Sequence, residues 1–173
     1  IISLFFMLFA TSCSSIAFWQ SDEIDPSEPR ELEDFNERFE FIENWETKFK
    51  GENTLNNFAP AFSGSNLFFV DPEGNVSNMD IKSGKVLWNN ELETSISVGI
   101  VAGFDKLFLS DDQGNLIALS QEDGSILWRT FAGGEVLANV GVDAGLVVAK
   151  TASGFLNAFN IETGAEEWSY RSV

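Results

Sequence analysis

The sequence predicts an all-β protein: a β-propeller of four-stranded blades, present as an incomplete arc of about three. Three observations carry that expectation. Tryptophan recurs at an even spacing of 40 residues, as Trp88, Trp128 and Trp168. Glycine keeps the same register at two loop positions, Gly74, Gly114 and Gly154 and then Gly84, Gly124 and Gly164; Leu67, Leu107 and Val147 keep it at a strand position. Between these markers lie short runs of β-branched, leucine and aromatic residues, bounded by Gly, Asp, Asn and Ser, with no helical periodicity. A repeat of this length holding several short strands is the mark of a propeller blade.

The second copy shows the strands most plainly, at 97–102, 106–109, 115–119 and 125–130. Asp111-Asp-Gln-Gly114 and Gln121-Glu-Asp-Gly124 read as hairpin loops whose glycine can take positive φ without steric cost. Blades are therefore expected at about 58–91, 96–131 and 136–171. An indole on the outer strand of one blade can lie flat on a glycine peptide of the next, because glycine has no side chain to hold it away. Its N–H then needs a backbone carbonyl. Trp88, Trp128 and Trp168, with Gly84, Gly124 and Gly164, are read as such docking residues rather than as a catalytic or ligand site.

The start of the chain has a different character. Residues 1–10 are apolar and uncharged, too few to span a bilayer, and they suit the core of a secretory signal. They end in Ala10-Thr11-Ser12-Cys13, which resembles a bacterial lipobox; the resemblance implies a signal peptide remnant over 1–13 and lipidation (palmitate included) at Cys13. Ala10 stands where leucine is more usual, and Ser14 follows the cysteine as in lipoproteins sorted to the outer membrane. As a nucleophile Cys13 would lack an activating base, since the chain has no histidine, and one cysteine makes neither an internal disulfide nor a thiolate metal cluster.

Residues 14–44 read as an acidic tether. Between Asp22 and Glu46 eleven acids face two arginines, a net −9 of the −17 carried by the whole chain, and Pro26 and Pro29 oppose regular structure. Such charge repels phosphates, so nucleic acid is excluded as a partner. Leu32, Phe35, Phe39 and Ile42 could form a helical stripe, whereas Phe39-Glu-Phe41 alternates as a strand does; extended chain is the favoured reading. Trp45 precedes Trp88 by 43 residues, three more than the repeat, and Phe41 occupies the glycine position. Residues 45–49 are thus expected to be an orphan outer strand that closes the ring. Three blades fall short of the four to eight usual in propellers, so the chain is expected to be part of a longer protein.

At this point the residues carry a family resemblance. The pattern Ala118/Gly124/Trp128 and Ala158/Gly164/Trp168 resembles the tryptophan docking motif of pyrroloquinoline-quinone-type propellers, with Asn78 departing from it in the first copy. Quinone-dependent alcohol dehydrogenases and the BamB outer-membrane assembly lipoproteins share that repeat. Cys13, the acidic tether, Trp45 and three repeats in this order resemble the N-terminal half of the BamB family. The resemblance implies eight blades in the complete protein and a non-enzymatic scaffold, with no catalytic, cofactor or metal residue. It also implies a lipid anchor on the periplasmic face of the outer membrane. The implied partners are the periplasmic domains of BamA, other subunits of the assembly complex, and unfolded outer-membrane proteins. The dehydrogenase alternative implies a vicinal cysteine pair, a calcium site and a catalytic aspartate; this chain has no vicinal cysteines. A WD-type propeller would show Gly-His and Trp-Asp signatures, and ranks last.

Overall fold

A computed structural model describes residues 38–48 and 58–171. Contacts divide the chain into Ile1–Phe41, of which 38–41 are described and exposed, and Ile42–Val173, which holds the twelve strands found among the described residues.

Each repeat folds as an antiparallel meander. The first sheet is β1 (Ala61–Ser63), β2 (Asn66–Val70), β3 (Asn75–Asp80) and β4 (Val86–Glu91). The second is β5 (Ile96–Gly103), β6 (Lys106–Asp111), β7 (Asn115–Ser120) and β8 (Ile126–Phe131). The third is β9 (Gly141–Asp143), β10 (Leu146–Lys150), β11 (Phe155–Asn160) and β12 (Glu166–Arg171). The fold is an arc of an incomplete propeller, all β among the described residues. In the second blade the strands begin and end within two residues of their sequence patterns, whereas the inner strands of the first and third blades have three residues each, with Val136 held to Thr151 by an isolated bridge.

The middle strands explain why their sequence reads as an unbroken apolar run instead of alternating. Both faces of the second blade are covered. Leu107, Leu109, Ile117 and Leu119 pack toward the first blade with Phe68, Val70 and Val76. Phe108, Leu116 and Ala118 pack toward the third with Val147, Ala149 and Phe159. Neighbouring side chains on one strand thus enter different cores. In every blade the outermost pairing slips by one residue at the same place, just after the tryptophan pairs with Asn78, Ala118 or Ala158. That bulge sharpens the twist of the outer strand.

The segment around Trp45 is held differently from the strands. Residues 45–48 lie in no sheet among the described residues. Trp45 is held by its side chain instead.

Candidate functional site

The described residues converge on one repeated constellation, the docking of an indole onto the following β-hairpin. Trp88 Nε1 donates to the carbonyl of Gln121 at 3.1 Å, and Trp128 Nε1 to that of Ile161 at 3.0 Å. Trp45 Nε1 does the same to Ile81 at 3.0 Å. Each ring lies against a glycine: a Cβ placed on Gly84, Gly124 or Gly164 would stand 2.6, 2.6 or 2.7 Å from Trp45, Trp88 or Trp128. These glycines also hold φ of 67°, 72° and 69°, where an L side chain is strained. The position therefore excludes other residues twice, by backbone and by space.

The turn that presents each glycine is built by its neighbours. Gly84, Gly124 and Gly164 donate their N–H to the carbonyls of Asp80, Ser120 and Asn160 at 2.8, 2.9 and 2.8 Å. The Ser83 hydroxyl and N–H both donate to Asp80 Oδ1, which lowers that carboxyl's pKa below its ordinary 3.8. The Ser125 N–H and hydroxyl do the same for Asp123. In the third turn Asn160 Oδ1 accepts from Glu162 and Thr163, so that cap carries no charge.

Other parts of the constellation differ between repeats. Ala118 and Ala158 are fully buried opposite Trp128 and Trp168. Asn78, in the same place opposite Trp88, is buried with its Oδ1 lacking a hydrogen-bond donor. Trp128 is 9% exposed, whereas Trp168, on the outer strand of the third blade, is 42% exposed. Cys13 lies outside the described residues.

A second repeated device was not singled out from sequence. Asp71 Oδ1 and Oδ2 accept from the Asn75 N–H and Nδ2, both at 2.8 Å, and Asp111 does the same with Asn115 at 2.8 and 2.9 Å. These buried acids tie hairpins, and the pattern Asp-x-x-Gly-Asn was there to be read in both copies. In the third copy Thr151 and Phe155 replace the pair, with a longer 3.3 Å bond. Among the described residues no three His, Cys, Asp or Glu side chains are grouped to hold a metal ion.

Residues 72–173, more than half of the chain, match the family described as outer membrane protein assembly factor BamB. This chain belongs to the BamB family. BamB of Vibrio cholerae is 47% identical over 115 residues, covering 64% of this chain and 30% of that protein. The chain spans about a third of the length of the curated BamB relatives it matches. Among solved structures, BamB from Moraxella catarrhalis superposes with a TM-score of 0.62 at 22% identity, over 73% of this chain and 39% of that one. Quinohemoprotein alcohol dehydrogenase from Comamonas testosteroni gives 0.55 at 20% identity, over 66% of this chain and 20% of that one. At these identities both likenesses show the fold alone, and it is the family match that separates BamB from the dehydrogenases.

Proposed function

We propose that the complete protein is a non-catalytic scaffold of the outer-membrane β-barrel assembly machinery. It is anchored through lipidated Cys13 on the periplasmic face of the outer membrane, and the acidic segment 14–44 holds the propeller clear of the bilayer. It binds the periplasmic domains of BamA and helps present unfolded outer-membrane proteins for insertion. The observation that carries this reading is the BamB family match over 72–173. The match coincides with the docked blades, whose repeated residues serve rigidity: indoles stapled to glycines, and buried aspartates spent on hairpins. A ring stiffened in this way presents loops in fixed positions, which a scaffold requires.

The test uses the full-length protein. It should co-purify with the assembly machinery and bind isolated BamA periplasmic domains with a Kd of about 1 μM or tighter, near −8 kcal/mol. It should neither bind pyrroloquinoline quinone nor reduce dyes with alcohols. Quinone-dependent turnover without affinity for those domains would assign it to the dehydrogenases instead. Cys13→Ala should move it from the membrane to the soluble periplasmic fraction.

A further inference from the structure

The second blade is flanked by a blade on each side, so the surface it leaves open is informative. Its inner hairpin differs from the equivalent two. Strand pairs Ser63–Asn66, Gly103–Lys106 and Asp143–Leu146 each close a two-residue turn. The first turn is Gly64-Ser65 and the third Ala144-Gly145, so glycine takes a left-handed position in both. The middle turn is Phe104-Asp105, with φ of 52° and 57° and no glycine. A bulky side chain in that region is a backbone outlier. The strained ring does not repay the strain by packing in the core: Phe104 is 52% exposed.

The surroundings are net acidic: Asp105, Glu122, Asp123 and Glu162 stand against one base, Lys106, which also donates to the Phe104 carbonyl at 3.5 Å. Gln121 donates its N–H to the Asp105 carbonyl at 3.1 Å, which sets the turn bearing Glu122 and Asp123 beside the hairpin. The nearby base, Lys106, is already engaged by Glu162 at 2.8 Å. At the foot of the hairpin a groove of about 510 Å³ is lined by Asp105 and Glu122, by Lys106, and by Asn66, Gln121 and Leu127.

We propose that Phe104 is an aromatic knob that anchors a folded partner domain, one offering an apolar socket rimmed by Lys or Arg. Exposed aromatics that fill a pocket dominate binding energy at interfaces, and rim charges steer association. A convex, rigid two-residue turn suits a preformed socket; an unfolded chain offers none. Strain kept at an exposed position where the sister repeats carry Gly64 and Ala144 is consistent with selection for contact rather than for folding. The inference rests on the scaffold reading above and assigns the knob to the same partner, the periplasmic domains of BamA.

Calorimetric titration of full-length protein with those isolated domains tests it. Phe104→Gly should weaken binding at least tenfold while melting no lower than wild type, because glycine relieves the backbone outlier. Glu122→Lys, on the neighbouring turn, should weaken it several-fold, mainly by slower association. Leu87→Thr, on the outer strand of the first blade, should bind as wild type does. Wild-type affinity in Phe104→Gly would overturn the proposal and leave the scaffold reading standing. Wild-type protein that does not bind these domains at all would overturn both. Loss by Phe104→Gly of affinity only for a urea-unfolded outer-membrane porin would make the knob a client contact and overturn the socket.

Discussion

The two inter-blade junctions use the same staple and reach different quality. Between the second and third blades, Trp128 is buried, Ala118 fills the space opposite it, and Phe108 lies 6.0 Å from the indole. Lys106 and Glu162 add an ion pair across that junction, and Asn157 Nδ2 donates to the Ala132 carbonyl at 2.7 Å. Between the first and second, Phe68 stands 6.1 Å from Trp88 at nearly the same tilt, but the indole is only half-buried and Asn78 replaces alanine. There the extra link is Asn90 Nδ2 to the Asp123 carbonyl at 2.9 Å. The hydrogen bond from indole to carbonyl is constant, so the difference lies in what surrounds the ring. A staple holds to the degree that water is kept from it.

The sharpest way to break the comparison is to remove each ring. Trp128→Ala should destabilise the full-length protein by about 3–5 kcal/mol, the range for a buried aromatic, and Trp88→Ala by distinctly less. Urea titration of both variants checks the order, and equal losses would erase the claimed difference. Gly164→Ala comes next. It forces a Cβ to 2.7 Å from Trp128 and puts a side chain at φ 69°, so a loss of roughly 2–3 kcal/mol is expected, with a red-shifted indole emission as the ring is pushed out. Asn78→Ala should act in the opposite direction. It installs the residue the other repeats use and removes a buried acceptor without a donor, for a gain of about 1 kcal/mol in the same titration.

The smallest effects are electrostatic. Lys106→Met should cost under about 1 kcal/mol, because Glu162 is largely exposed, and added salt should shrink the difference from wild type. Acid should separate the junctions by another route. Hydrogen bonds from Ser125 lower the pKa of Asp123, so its contribution is present above the ordinary 3.8 and is lost as pH falls through the depressed folded value. The turn under Trp88 should loosen in that window while the Asn160-capped turn under Trp128 does not. Amide exchange at Gly124 and Gly164 below pH 4 reads this directly, and Asp123→Asn should flatten the Gly124 response.

Much of this was legible in the chain because blades repeat. A constant 40-residue step aligned Trp88, Trp128 and Trp168 with the glycines they need, and no knowledge of tertiary structure was required to find it. The docking acceptors obey the same rule: Gln121 and Ile161 lie 33 residues after Trp88 and Trp128. Ile81 lies 36 after Trp45, the same three-residue excess seen between Trp45 and Trp88. What could not be read was whatever depends on neighbours across the sheet. The orphan segment at Trp45 has strand-like sequence, but what such a segment pairs with is set by a neighbouring strand and not by its own pattern. Phe104 falls in the turn between the strands expected at 97–102 and 106–109, but nothing in the sequence gives its positive φ. The burial of Asp71 and Asp111 is likewise invisible in a sequence rich in exposed acids, although their Asn partners were in view.

The direction of the staples has a consequence for how such a ring is made. The three docked indoles, Trp45, Trp88 and Trp128, each reach forward, to a carbonyl 33 or 36 residues nearer the C-terminus. During synthesis or export a blade's four strands can pair as soon as they emerge. Its outer edge is fastened only when most of the next blade has followed. Assembly is therefore vectorial, like a zip with its slider moving toward the C-terminus, and the newest blade always carries one open tooth. A pause after a blade leaves its forward apolar face open as well as its indole, as Phe108 and Leu116 would be beside Trp128, until the next blade covers them.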